Sequence, residues 1–130
     1  MKRFSEFLIE MADGYVDLKG DVVYKQGDFV IKNSLHGKER IEQRNTLPKI
    51  ALAELFRKTI EKVAAIGEDI KTEVLFYSEK LRQGFVAAYD AVQKAVRIIT
   101  FLPRNKHFAK PGTEEIVLEG IGIIPIIFID

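Results

Sequence analysis

The sequence predicts an α+β domain in which N-terminal helices pack on one face of a twisted antiparallel sheet of four to five strands. Two observations carry that expectation: apolar residues at helical spacing are concentrated in the first half, and β-rich runs separated by turn signals fill the second. A third sets the scale. At 130 residues, 47% hydrophobic and 30% charged, the chain suits one folded domain spanning 1–130, large enough to bury a core and too small for two.

Phe4, Phe7, Leu8 and Met11 stand at i, i+3, i+4 and i+7, the apolar stripe of a short helix ending near Gly14. Residues 21–24 and 29–32 are β-rich and are joined by Lys25-Gln26-Gly27-Asp28, which predicts a hairpin. Ser34 can cap a helix running to about Arg44. Thr46 and Pro48 signal the start of the longest helix, whose buried face carries Leu52, Leu55, Phe56, Thr59, Val63 and Ile66 and which Gly67 stops. Beyond it, residues 73–78, 85–89, 96–102, 115–119 and 123–129 read as strands. The alanines at 87, 88, 91 and 95 would also suit a helix, but Gly84 and the preceding turn-like Leu81-Arg82-Gln83 favour a hairpin there.

Several chemistries are excluded. Without cysteine there is no disulfide or thiolate metal site, and the two histidines, His36 and His107, stand far apart in sequence. No phosphate-binding glycine loop, dinucleotide fingerprint, H-E-x-x-H or G-x-S-x-G occurs, so no cofactor and no metal are expected. The first residues lack an uninterrupted apolar run and the apolar C-terminal run is too short to cross a bilayer, so the expectation is a cytoplasmic protein with no membrane partner.

The net charge of +1 hides an uneven distribution. Residues 80–110 carry Lys80, Arg82, Lys94, Arg97, Arg104, Lys106 and Lys110 against the single acid Asp90, whereas 113–130 carry acids and no base. A basic segment favours phosphate, although such residues also serve as ordinary solubility devices. Within it, the stretch 103–111 mixes bases with His107 and Phe108, a composition that can hold single-stranded nucleic acid by charge and stacking.

His36, Arg40 and Arg44 are spaced i, i+4, i+8, which aligns them along one helical face. An imidazole can move a proton while guanidinium groups grip phosphate oxygens through paired N–H donors. The bland alternative is a solvated helix face laced with ion pairs to Glu39 and Glu42. In an alternating strand, Arg97, Ile99 and Phe101 share one face, so Arg97 needs either a phosphate or an acid such as Glu73 or Asp90. Tyr77 and Tyr89 sit in strands, where packing is their usual role.

The run His36-Gly-Lys-Glu-Arg40-Ile-Glu-Gln-Arg44, followed by Glu54-Leu55-Phe56, resembles the corresponding part of the RelE/RegB-like endoribonucleases, and Ile98-Ile99-Thr100-Phe101-Leu102-Pro103 is similar to a late sheet strand of that group. The opening Met1 to Leu8 looks phage-encoded. The resemblance implies helices on a twisted antiparallel sheet, His36 as the acid/base, and Arg40 with Arg44 on the phosphate. A second family histidine is replaced here by Arg57, so the acid/base pair is incomplete: Arg57 or a sheet residue would take that part, or the protein binds RNA without cutting it. The expected function is metal-independent RNA cleavage through the 2′-hydroxyl, with Lys80, Arg82, Arg104, Lys106, His107 and Lys110 on the RNA. The alternative is a non-catalytic phage-type factor that docks on RNA, the ribosome or a host protein.

Overall fold

A computed structural model describes residues 13–107 and 110–119. The elements are β1 (Val22–Gln26), β2 (Phe29–Asn33), α1 (Leu35–Arg44), α2 (Lys49–Ile66), β3 (Ile70–Ser78), β4 (Gln83–Asp90), β5 (Ala95–Phe101) and β6 (Glu114–Val117). They form one six-stranded sheet in the order β1-β2-β5-β4-β3-β6. The pairs β1–β2, β5–β4 and β4–β3 are antiparallel, whereas β2–β5 and β3–β6 are parallel.

This overturns the expected four to five antiparallel strands behind N-terminal helices. The sheet is mixed, and both described helices follow the first hairpin instead of preceding the sheet. The physical reason is the connection between β2 and β5. Parallel pairing needs a crossover, and the two helices with the β3–β4 hairpin supply it, which brings the β1–β2 hairpin into the same sheet. The helix expected over 4–11 and the strand expected over 123–129 lie outside the described residues.

Both helices bury one stripe into a single core. Ser34 caps α1 by accepting from the Gly37 N–H at 2.9 Å, and Ile41 carries its apolar contact. Gly37 is required by close approach: a Cβ there would lie 2.8 Å from Asn33 Oδ1 and 3.0 Å from the Ile98 carbonyl oxygen, so α1 lies tight on β5. From α2, Leu52, Leu55, Phe56, Ile60 and Val63 face the sheet. The Phe56 ring meets Phe85 edge-on at 6.1 Å, and Phe85 stacks on Phe76 at 5.5 Å, aromatic geometries that add to the area they bury.

Alternation along the strands separates two faces. Val74, Phe76, Phe85, Ala87, Val96 and Ile98 belong to the helix-side core, while Leu75, Tyr77, Val86 and Leu102, joined by Ile99, form a smaller cluster on the helix-free face. The expectation that Arg97, Ile99 and Phe101 share a face fails at its last member. The β4–β5 register shifts between Val86 and Ala87, so β5 carries an extra residue between Ile98 and Thr100, and Phe101 turns into the helix-side core.

Candidate nucleic-acid interface

At one end of the sheet the β3–β4 turn and the long β5–β6 loop are stitched together. Arg104 Nε donates to the Leu81 carbonyl at 3.1 Å, and the Asn105 N–H donates to the Arg82 carbonyl at 2.9 Å. Beneath them, the buried Gln83 amide donates to the Leu102 carbonyl at 2.8 Å. Arg82, Arg104, Lys106 and His107 are thereby gathered at one edge although the two segments are more than twenty residues apart in sequence. Lys110 is exposed farther along the same loop. Lys80 turns back to α2, where its Nζ lies 2.9 Å from Glu54 Oε2.

The loop delivers His107 onto the helix-free face. Its ring stacks on Tyr77 with centroids 4.1 Å apart and planes 15° from parallel, and its Nε2 lies 2.8 Å from Glu115 Oε2. Both partners are placed by register: Glu115 pairs with Leu75 across β6–β3, which sets it on the face that Tyr77 shares. Gly84, opposite Tyr77 on β4, makes room for the phenol ring; a Cβ there would lie 2.9 Å from Leu75 Cδ1 and 3.1 Å from Tyr77 Cδ1. Tyr77, Glu79, Arg82 and His107 line a cavity of about 210 Å³. An ionised carboxylate can only accept, so Glu115 fixes the proton on Nε2 and leaves Nδ1 as the lone-pair nitrogen of the neutral ring.

A polar network holds the turn against α2. Glu119 Oε2 takes Lys58 Nζ at 2.8 Å and the Ser78 hydroxyl, and its Oε1 takes the Glu79 N–H at 2.7 Å. Lys58 also meets Glu54 at 3.1 Å. Burial raises the Glu119 pKa, but the bonds from Lys58, Ser78 and Glu79 outweigh it and hold the carboxyl below its ordinary value. Burial likewise depresses Lys58, and Glu119 and Glu54 more than restore it, so its pKa is raised.

The candidates on the helices are divided. His36 and Arg40 do share a face of α1, with Arg40 Nε donating to His36 Nε2 at 3.3 Å and Arg40 Nη1 to Gln43 at 2.7 Å. Arg44 instead ties α1 to the sheet, donating to the Phe101 carbonyl at 2.9 Å. Arg57 pairs with Glu61 one turn along α2 at 3.0 Å. Arg97 lies on the helix-free face beside Lys32, with the sheet between it and the α1 line. The proposed catalytic residues therefore occupy separate places, whereas the proposed RNA-binding residues Arg82, Arg104, Lys106 and His107 come together.

Sequence reading missed Glu115 and gave Tyr77 to packing. The available signal was alternation, since residues 75, 77 and 115 fall on one face once β6 is set beside β3. Among the described residues no group of three or more His, Asp or Glu is placed to hold a metal ion, and no helix is long and apolar enough to cross a membrane. Comparison with protein-family models, curated proteins and solved structures finds no match to this chain.

Proposed function

We propose that the protein binds single-stranded RNA at the loop end of its sheet and cleaves it without a metal. The observation that carries this reading is that Arg82 and His107 line one cavity, where the turn carrying Arg82 is stitched to the loop that carries Arg104 and Lys106, and that the His107 ring is held by a carboxylate and an aromatic face. Guanidinium and ammonium groups suit phosphate, and a carboxylate-oriented imidazole suits proton transfer. In the reaction, His107 Nδ1 takes the 2′-hydroxyl proton as the 2′-oxygen bonds to phosphorus. The bond from phosphorus to the 5′-oxygen breaks, the leaving oxygen takes a proton from water, and a 2′,3′-cyclic phosphate remains. Arg82 and Arg104 stabilise the charge that builds on the phosphorane. His107 has stronger support for the acid/base part than His36, whose only described side-chain partner is Arg40.

The test is turnover of a single-stranded RNA in EDTA by wild type, His107→Ala and Arg82→Ala. Cyclic-phosphate ends from wild type, and a loss of about a hundredfold or more in His107→Ala, are the expected results. Binding without turnover by wild type would replace cleavage with a binding role.

A further inference from the structure

The opposite end of the helix-free face carries a second cationic site that the loop cluster does not use. Strands β2 and β5 run parallel in a register that sets Lys32 directly beside Arg97. Like charges placed side by side across strands are destabilising, and among the described residues no acid stands within ion-pair distance of either. Among the described residues neither makes an ion pair or a side-chain hydrogen bond. Nearby charges are engaged elsewhere. Lys94 lies 3.6 Å from Asp28, and Asp90 Oδ1 accepts the Val92 and Gln93 N–H groups at 3.0 and 3.1 Å within the β4–β5 turn.

The two cations flank a cavity of about 280 Å³, which Lys71 and Gln93 also line. Asp90 is the acid in that lining, against three cations. Ala88 is the reason for the space: it pairs with Arg97 on β4, and its methyl group leaves open the volume a larger side chain would fill. The site thus combines unneutralised positive charge, an amide that can donate or accept, and a concave floor.

We propose that Lys32, Lys71 and Arg97 form a phosphate-binding subsite that takes a second stretch of the RNA backbone held at the loop end. This rests on the RNA reading. Gly84, at the loop end, and Ala88, at the cavity floor, are four residues apart on β4, about 13 Å at the usual strand rise, a separation a short oligonucleotide spans. Lys32 and Arg97 give the backbone a point of attachment far from the reacting bond, so they set affinity and length dependence and not the chemical step.

Two probes separate this subsite from the function it serves. One is a 2′-O-methyl RNA of roughly twelve nucleotides, within the span single-strand binders cover; the other is inorganic tripolyphosphate. Each is titrated into wild type, the Lys32→Gln/Arg97→Gln double variant and Ala88→Leu, which keeps the charges and fills the cavity. The double variant should bind the RNA about tenfold more weakly, with a log–log salt slope shallower by about 1.4, the release expected from two single-strand phosphate contacts. Its thermal midpoint should equal or exceed that of wild type because the repulsion is gone, and Ala88→Leu should also lose affinity. If wild type binds the RNA and the double variant binds it equally well with the same slope, the subsite is refuted and the RNA reading stands. If wild type ignores the RNA, but tripolyphosphate stabilises wild type and not the double variant, the RNA reading falls and the site belongs to a small phosphate-bearing ligand. If neither probe binds wild type, both are refuted.

Discussion

Replacing Glu119 with alanine should loosen the turn that carries Lys80 and Arg82. The carboxylate is about one-quarter exposed and Lys58 is less so, which places the pair between surface and buried ion pairs. Removing one partner of a fully buried pair costs about 3–5 kcal/mol, whereas exposed pairs are worth at most about 1. Glu119 also accepts from the Ser78 hydroxyl and the Glu79 N–H, and Lys58 keeps Glu54 in the variant. Balancing these gives a loss of about 3 kcal/mol, or a thermal midpoint lower by about 10 °C in a domain of this size. The sign with pH is set by the shifts. A carboxyl held below its ordinary value contributes stability that is present above the unfolded pKa, near 4.3, and is lost as pH falls through the folded pKa. Lys58, held above its ordinary value, contributes below about pH 10.4 and loses that contribution at higher pH. Glu119→Ala should therefore lower the midpoint at pH 7 and flatten the acid limb below about pH 4, measured by thermal denaturation across pH. A midpoint within about 2 °C of wild type at pH 7 would refute the role given to this network.

Two substitutions test the close approaches. Gly84→Val should cost about 1–3 kcal/mol by overpacking against Leu75 and Tyr77, and should shift the His107 ring-proton resonances as the stacked phenol moves. Gly37→Ala should cost a similar ~1–3 kcal/mol in a denaturant titration, because the Cβ would meet the Ile98 carbonyl oxygen, a backbone atom that cannot swing aside.

The local elements were the legible part of this chain. Ser34, the apolar stripe from Leu52 to Val63 and Gly67 mark α1 and α2 by short-range chemistry that a single sequence displays. The strands over 73–78 and 85–89 follow from β-rich runs bounded by turn signals, though β3 begins earlier, at Ile70, and β4 extends from Gln83 to Asp90. The sheet order was not legible, because the parallel neighbours β2 and β5 are joined through two helices and a hairpin, and nothing within either strand announces its partner. The bulge near Ile99 was hidden for the same reason: periodicity of two is the default until a partner strand shows one residue too many. For the candidate site, the basic character of the 80–110 segment was visible as composition. The contact between Tyr77 and His107, and the hold of Glu115 on that imidazole, depend on a loop folding back over β3 and β6, which pattern alone does not specify. His36, Arg40 and Arg44 do fall along one helix as their spacing requires, yet Arg44 is turned to the Phe101 carbonyl, a partner that exists only once α1 lies on β5.

The most direct measurement is single-turnover cleavage of a single-stranded RNA in EDTA by wild type, His107→Ala and His36→Ala, with thermal midpoints recorded alongside. Loss of about a hundredfold or more in His107→Ala, near wild-type turnover in His36→Ala and preserved midpoints in both are the predicted results. Turnover that survives His107→Ala unchanged, or that His36→Ala abolishes in a folded protein, would contradict the assignment of the acid/base role to the histidine held between Tyr77 and Glu115.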